Sequence, residues 1–221
     1  MATTDEPEPL PDGPKPIRYR LTLGTGWRRI RLDGHAEADA KAYLDAVFSS
    51  VPADAAEAAR TLIETRLTTQ IMAGRAKGGI DFYIPAPNPG SGPLPALTVM
   101  AAEVKIPTTT VPEPAEVVAR VAAANPTART GVVAGMPTVR IDRSAGIGDL
   151  DGHERQGENG DVEQPPRGPR HIEYVLPVAG DAEHRWLSLA LTGQAGPGGD
   201  EEKVDAAVAA FDQAVAGLAW E

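Results

Sequence analysis

Histidines are the side chains best suited to metal or acid–base chemistry, and the chain has four of them: His35, His153, His171 and His184. None lies four residues from another, so the spacing of a helical zinc motif is absent. His171 and His184 flank a predicted strand pair, and a carboxylate such as Glu173 or Glu183 could complete a metal site with them. We expect the less specific alternative, two surface histidines without a metal.

Nucleophile, calcium and phosphate sites also lack their motifs. No G-x-S-x-G surrounds a serine, and the run DLDGHERQGENGD lacks the spacing of a calcium loop. The glycines at 24–26 separate two predicted strands, whereas a phosphate cradle lies between a strand and a helix. Glu201 and Glu202 would repel a phosphate from the last predicted helix. We therefore predict no catalytic residue, no metal and no cofactor.

The charge balance argues against two classes of partner. The 221 residues include 21 Lys plus Arg and 31 Asp plus Glu, a net charge of -10 that repels nucleic acid and anionic membranes. The basic clusters at 27–31 and 73–77 are short, and we expect them to be solvated edges of a strand and a helix. No segment is apolar for the roughly 18 residues of a membrane helix. We predict that the partner is another protein, and the oligomeric state stays open.

Two features of the sequence indicate the cellular compartment: the composition of residues 1–16 and the absence of cysteine. The segment 1–16 has five prolines and four acids, without the basic and apolar regions of a secretory signal. We predict that it forms a disordered leader. Because the chain has no cysteine, it can form no disulfide and carry no lipid on a thiol. We expect a cytoplasmic protein.

Hydrophobic periodicity predicts the elements that would position a site. Alternating apolar residues predict strands at 17–23, 27–32, 79–85, 94–107, 129–135 and 137–143, then a hairpin over 171–193 that turns near Gly180. Helical spacing predicts four helices: one after His35, one along Ala59, Leu62, Ile63, Leu67 and Ile71, one at 112–125, and one through Val204, Val208, Phe211, Val215 and Leu218. Because hairpin connections dominate, we predict one α+β domain over 17–221. Its sheet should be mainly antiparallel and flanked by helices, with the 171–193 hairpin at its centre.

An acidic stretch interrupts this domain at residues 145–169, with six acids, two arginines, six glycines and three prolines. We predict a flexible insertion. Two interpretations stay open: a permissive loop without a role, or a loop that becomes ordered on a basic partner. In the second, the partner-binding residues are the six acids Asp149, Asp151, Glu154, Glu158, Asp161 and Glu163.

The three tryptophans have two interpretations. Trp27, Trp186 and Trp220 can all be core anchors, because burying an aromatic ring stabilises a fold. Alternatively, Trp220 is exposed near the end of the chain and anchors an interface.

Two stretches carry a family resemblance. The opening YRLTLGTGWRRIRL and the closing RWLSLALTG, followed by VAAFDQAVAGLAW, resemble Mog1/PsbP-like domains. The same closing residues resemble uncharacterised actinobacterial proteins associated with secretion-related gene neighbourhoods. The resemblance implies an α/β/α sandwich and a non-enzymatic adaptor or chaperone-like protein-binding module, because most members of that fold are not catalysts.

Two other functions stay open. One is an enzyme whose site is assembled from dispersed residues such as His171 and His184, which predicts a deep polar pocket with convergent titratable groups. The other is an immunity-type inhibitor of a basic toxin, which predicts acids clustered on a rigid surface. An adaptor instead predicts an exposed apolar patch.

Overall fold

The computed structural model describes residues 17–49, 51–87, 96–106, 113–144, 168–181, 184–195 and 201–221, without the side chains of 53–56. Its strands are β1 (Tyr19–Arg20), β2 (Trp27–Arg31), β3 (Gly79–Pro85), β4 (Ala96–Val104), β5 (Arg129–Val133), β6 (Met136–Asp142), β7 (Arg170–Pro177), β8 (Trp186–Gln194) and β9 (Ala219–Trp220). Its helices are α1 (Ala36–Val47), α2 (Ala53–Ala76), α3 (Pro114–Ala123) and α4 (Glu201–Ala216). The predicted order of elements is confirmed, with β9 added. The predicted leader at 1–16 and residues 145–167 of the predicted insertion lie outside the described residues.

Seven strands form one antiparallel sheet in the order β2-β3-β4-β8-β7-β6-β5. β8 is central, because all nine of its residues pair with β4 and eight of them pair with β7. The predicted hairpin is therefore confirmed as the centre of the sheet. The described residues contain no helix long and apolar enough to cross a membrane.

Helices cover both faces of the sheet, which confirms the α+β class. Successive strand residues point to opposite faces. Thus Phe82 packs under α1 and α2, while the neighbouring Tyr83 joins the cluster around Phe211 of α4. α3 covers Val139 and Ile141 of β6 on the face opposite α4. We call the side that carries α1, α2 and α3 the three-helix face, and the other side the α4 face.

The first strand departs from the prediction. The expected strand over 17–23 shortens to β1, which pairs with β9 in a separate two-stranded ribbon and not with β2. A polar contact explains its position: the Tyr19 hydroxyl donates to Oδ2 of the fully buried Asp81 at 2.5 Å. Arg29 adds two hydrogen bonds to the same carboxylate, at 2.7 and 2.8 Å. Burial, reinforced by the neighbouring Tyr83 and Asp81, raises the pKa of Tyr19, so its hydroxyl stays protonated as a donor.

The second helix also departs from its predicted pattern. Leu67 and Ile71 are buried against β2 and β3, as the apolar stripe predicts. Nearer the start of α2 the apolar stripe is exposed to solvent, at Leu62 and Ile63. The 24 residues of α2 extend over about 36 Å, and the side chains that it buries in the core, Leu67 and Ile71, lie in its second half.

A tight approach between α2 and β3 generates a stability prediction. A Cβ added at Gly79 would lie 2.7 Å from the carbonyl oxygen of Gly74, a backbone atom that cannot move aside. We expect Gly79→Ala to lower the free energy of unfolding by about 1–3 kcal/mol in urea denaturation. Gly131→Ala is the control, because nothing lies within 4 Å of its Cβ, and we expect a change below about 1 kcal/mol. Equal urea midpoints for the two variants would contradict this packing.

Candidate functional site

The two edges of the sheet differ in how their backbone is satisfied. At the β2 edge, Leu32 bonds to Ile80 across the β2–β3 ladder, so Arg31 points its N–H outward. That N–H donates to Asp39 of α1 at 3.1 Å, and the Arg31 guanidinium donates to both carboxylate oxygens at 2.8 Å. Helix α1 thus satisfies part of this edge.

The Asp39 carboxylate makes the hydrogen bonds at the β2 edge sensitive to acid. Hydrogen bonds from Arg31 outweigh the opposing effect of burial and lower the pKa of Asp39 from 3.8 to about 2. A carboxylate whose pKa is lower in the folded state than in the unfolded state stabilises the fold at pH values above the unfolded-state pKa. This stabilisation is lost as the pH falls through the folded-state pKa.

We therefore expect Asp39→Asn to cost on the order of 1 kcal/mol at neutral pH. Between about pH 4 and pH 2 the stability of the wild type should fall toward that of the variant, because protonation removes the same charge. Urea denaturation at a series of pH values measures the difference in unfolding free energy between the wild type and the variant. A difference that stays constant down to pH 2.5 would show that the charge of Asp39 does not stabilise the β2 edge.

The β5 edge has no such cover among the described residues. β5 and β6 are joined by a two-residue turn at Ala134 and Gly135, which have φ of 49° and 77°. Positive φ at both central residues is the geometry that suits a tight hairpin. The turn makes Val133 and Met136 a hydrogen-bonded pair. Hydrogen-bonded and non-hydrogen-bonded pairs alternate along an antiparallel ladder, so Thr130 and Val132 point their N–H and C=O groups away from β6.

Val132 marks this edge as a contact surface. Its side chain is 73% exposed, more than any other large apolar side chain among the described residues. It lies on the three-helix face, because it is one residue from Val133, which packs in the cluster under α4. An exposed apolar edge strand with open backbone groups is a template for strand addition.

A cleft of about 720 Å³ lies beside β5 on the α4 face. Its charged lining consists of three arginines, Arg129, Arg140 and Arg170, and one acid, Asp142. Burial alone would raise the pKa of Asp142, but hydrogen bonds from Ser144 and the charges of Arg140 and Arg170 together outweigh it and lower the pKa. Since Asp142 stays ionised, the described lining of the cleft contains no protonated carboxyl group or histidine that could act as a general acid.

Two of these arginines also attach α4 to the sheet. Arg140 donates to both oxygens of Asp212 at 3.0 Å, and Arg170 donates twice to Oδ1 of Asp205, at 2.8 and 3.0 Å. The Tyr174 hydroxyl donates to Asp212 as well, at 2.8 Å. Burial and this bond raise the pKa of Tyr174 to about 12. Arg129 differs, because it has no ion pair with the part of the chain that the structure describes.

His171 and His184 do not form the metal pair that the sequence left as an alternative. His171 is opposite Thr192 and Pro177 is opposite Trp186, so His184 lies at the turn end of the hairpin and His171 at the other end. The alternative is wrong because this register centres the hairpin between residues 181 and 182 and separates the two histidines along it. The Nδ1 atom of His171 lies 3.1 Å from the Thr192 hydroxyl. Within the described ranges, no group of three or more potential ligands is arranged for a metal.

The predicted partner-binding residues have different outcomes. Trp220 is part-buried against the core, where β9 pairs it with Tyr19, and its Nε1 is buried with no acceptor among the described residues. Trp220 is therefore not an exposed anchor in this arrangement, and a role in binding stays a prediction. The six predicted acids, Asp149, Asp151, Glu154, Glu158, Asp161 and Glu163, lie outside the described residues.

The basic clusters at 27–31 and 73–77 are largely engaged within the fold. Arg29 and Arg31 pair with Asp81 and Asp39, and Arg75 donates to the carbonyl oxygens of Leu32 and Asp33. These contacts bind the arginines to neighbouring elements of the same chain. Neither cluster is a free basic patch.

Comparisons with protein-family models, curated proteins and solved structures found no match to this chain.

The arginine cleft was not predicted from the sequence. One signal could have pointed to it: a turn at Ala134 and Gly135 places Arg129 directly opposite Arg140. A turn placed one or two residues later shifts the register and hides this juxtaposition. Arg170 reaches the same cleft from a strand that follows some thirty residues later in the chain, so local spacing could not have found it.

Proposed function

We propose that the chain is a non-enzymatic protein-binding module, an adaptor or chaperone-like protein that takes up an extended segment of its partner along the β5 edge. The observation that carries the proposal is the exposure of Val132 on an edge strand. Val132 is the most exposed large apolar side chain of the described residues, and it lies on a strand whose outward backbone has no partner among them.

Backbone pairing can supply the affinity. Thr130 and Val132 each present one N–H and one C=O group outward, the groups that an added strand uses for its ladder. Each hydrogen bond contributes a net of about 0.5–1.5 kcal/mol. Apolar contact with Val132 adds burial of surface that the free protein exposes to water.

The chemistry of the cleft supports binding over catalysis. Its described titratable groups are three arginines and an ionised carboxylate, and none of the described histidines lines it. The enzyme hypothesis named His171 and His184 as an example of a dispersed site, and the hairpin register separates these two residues.

We also propose that the layers correspond to those of Mog1/PsbP-like domains and that the protein acts in the cytoplasm in association with secretion. The stacking of helices on both sides of an antiparallel sheet supports the first point. The absence of cysteine is compatible with a reducing compartment. Steering of a basic partner by the acidic residues at 145–169 stays a prediction.

A peptide-display selection on the immobilised full-length protein tests the proposal. We expect selected peptides to bind in extended form and to lose at least about tenfold in affinity with Val132→Pro, the equivalent of about 1.4 kcal/mol. Proline removes the outward N–H of residue 132, while the bonds to β6 come from Gly131 and Val133 and are retained. Circular dichroism and the urea midpoint establish that the variant is folded.

Two controls separate the edge from other surfaces. Val132→Ala keeps the outward N–H and should cost less than the proline variant. Leu62→Ala alters the exposed start of α2 and should leave binding unchanged. Binding that survives Val132→Pro but is lost with Leu62→Ala would move the interface to α2 and refute the edge.

A further inference from the structure

We infer that the segment taken up by β5 is acidic on its cleft side and apolar on its other side. The inference rests on the proposed function and specifies the chemistry of the partner. It follows from the side chains that alternate along β5 and from the charges beside them.

Arg129 sets the preference on the cleft side. It lies directly opposite Arg140, and both side chains line the cleft on the α4 face. Like charges directly opposite each other in a sheet are destabilising, whereas opposite charges in that relation are stabilising. Arg140 is neutralised by Asp212, and Arg129 has no ion pair among the described residues. A carboxylate on a strand added outside β5 would take the vacant position next to Arg129.

The other arginines of the cleft do not compete with Arg129 for a carboxylate of the partner. Arg140 and Arg170 are neutralised by Asp212 and Asp205, so the preference for acid rests on Arg129. The chain as a whole carries a net charge of -10 and would by itself repel an acidic peptide. A preference for acid at this edge would therefore report Arg129 and not the overall charge.

Val132 sets the preference on the other face. It is three residues from Arg129, an odd separation, so its side chain points to the three-helix face. Its exposed isopropyl group would pack on an apolar side chain of the added strand. The partner segment should therefore alternate, with carboxylates on one face and apolar groups on the other.

Three blocked octapeptides test the inference by calorimetric titration of the full chain. One alternates valine with glutamate, and the other two replace glutamate by glutamine or lysine. We expect the glutamate peptide to bind about three- to fivefold tighter than the glutamine peptide, with the lysine peptide weakest. Arg129→Gln should abolish the difference between glutamate and glutamine, Arg129→Lys should retain most of it, and 0.5 M salt should shrink it.

The same titrations are run on a variant in which residues 147–166 are replaced by a Gly/Ser linker, so that acids of the chain itself cannot compete. Equal affinity of the glutamate and glutamine peptides for both proteins would overturn the inference and leave strand addition at β5 intact. A peptide selected by display serves as the reference for binding at β5. If display selects no peptide and none of the octapeptides binds, the proposed function itself fails.

Discussion

Seven hydrogen-bonded strands leave two edges, and each edge presents backbone groups that must find a partner or remain in water. The protein treats its edges differently. Beside β2, the carboxylate of Asp39 accepts from the Arg31 backbone and side chain. Beside β5, the outward groups of Thr130 and Val132 have no partner among the described residues, and an exposed valine accompanies them. One edge is thus satisfied in part by its own helix, and the other keeps outward backbone groups without a partner among the described residues.

Buried charge fixes the layers around this sheet. Asp81 is fully buried, and hydrogen bonds from Tyr19 and Arg29 offset the cost of burying it. The bond from Tyr19 also attaches the β1–β9 ribbon to β3 of the main sheet. On the same face, Arg140 and Arg170 hold α4 through Asp212 and Asp205. These two arginines also line the cleft next to β5. Because Asp212 and Asp205 neutralise these two arginines, Arg129 is the arginine of the cleft that has no ion pair among the described residues.

Much of the fold follows from periodicity in the sequence. The order of the elements, the central hairpin and the buried stripe of α4 were predictable, because each depends on local alternation or helical spacing. The pairing of β1 with β9 was not, because it depends on a contact between Tyr19 and a carboxylate 62 positions later. The cleft was missed for the same reason: its arginines come from three strands and meet only when the register is set by the turn at Ala134 and Gly135.

Amide hydrogen exchange in the free protein, read residue by residue along β5, tests the central claim most directly. An open edge predicts alternation: the amides of Thr130 and Val132 exchange rapidly, while those of Gly131 and Val133 are protected by their bonds to β6. Strong protection of all four amides would show that another part of the chain already occupies the edge. That result would contradict an edge available to a partner.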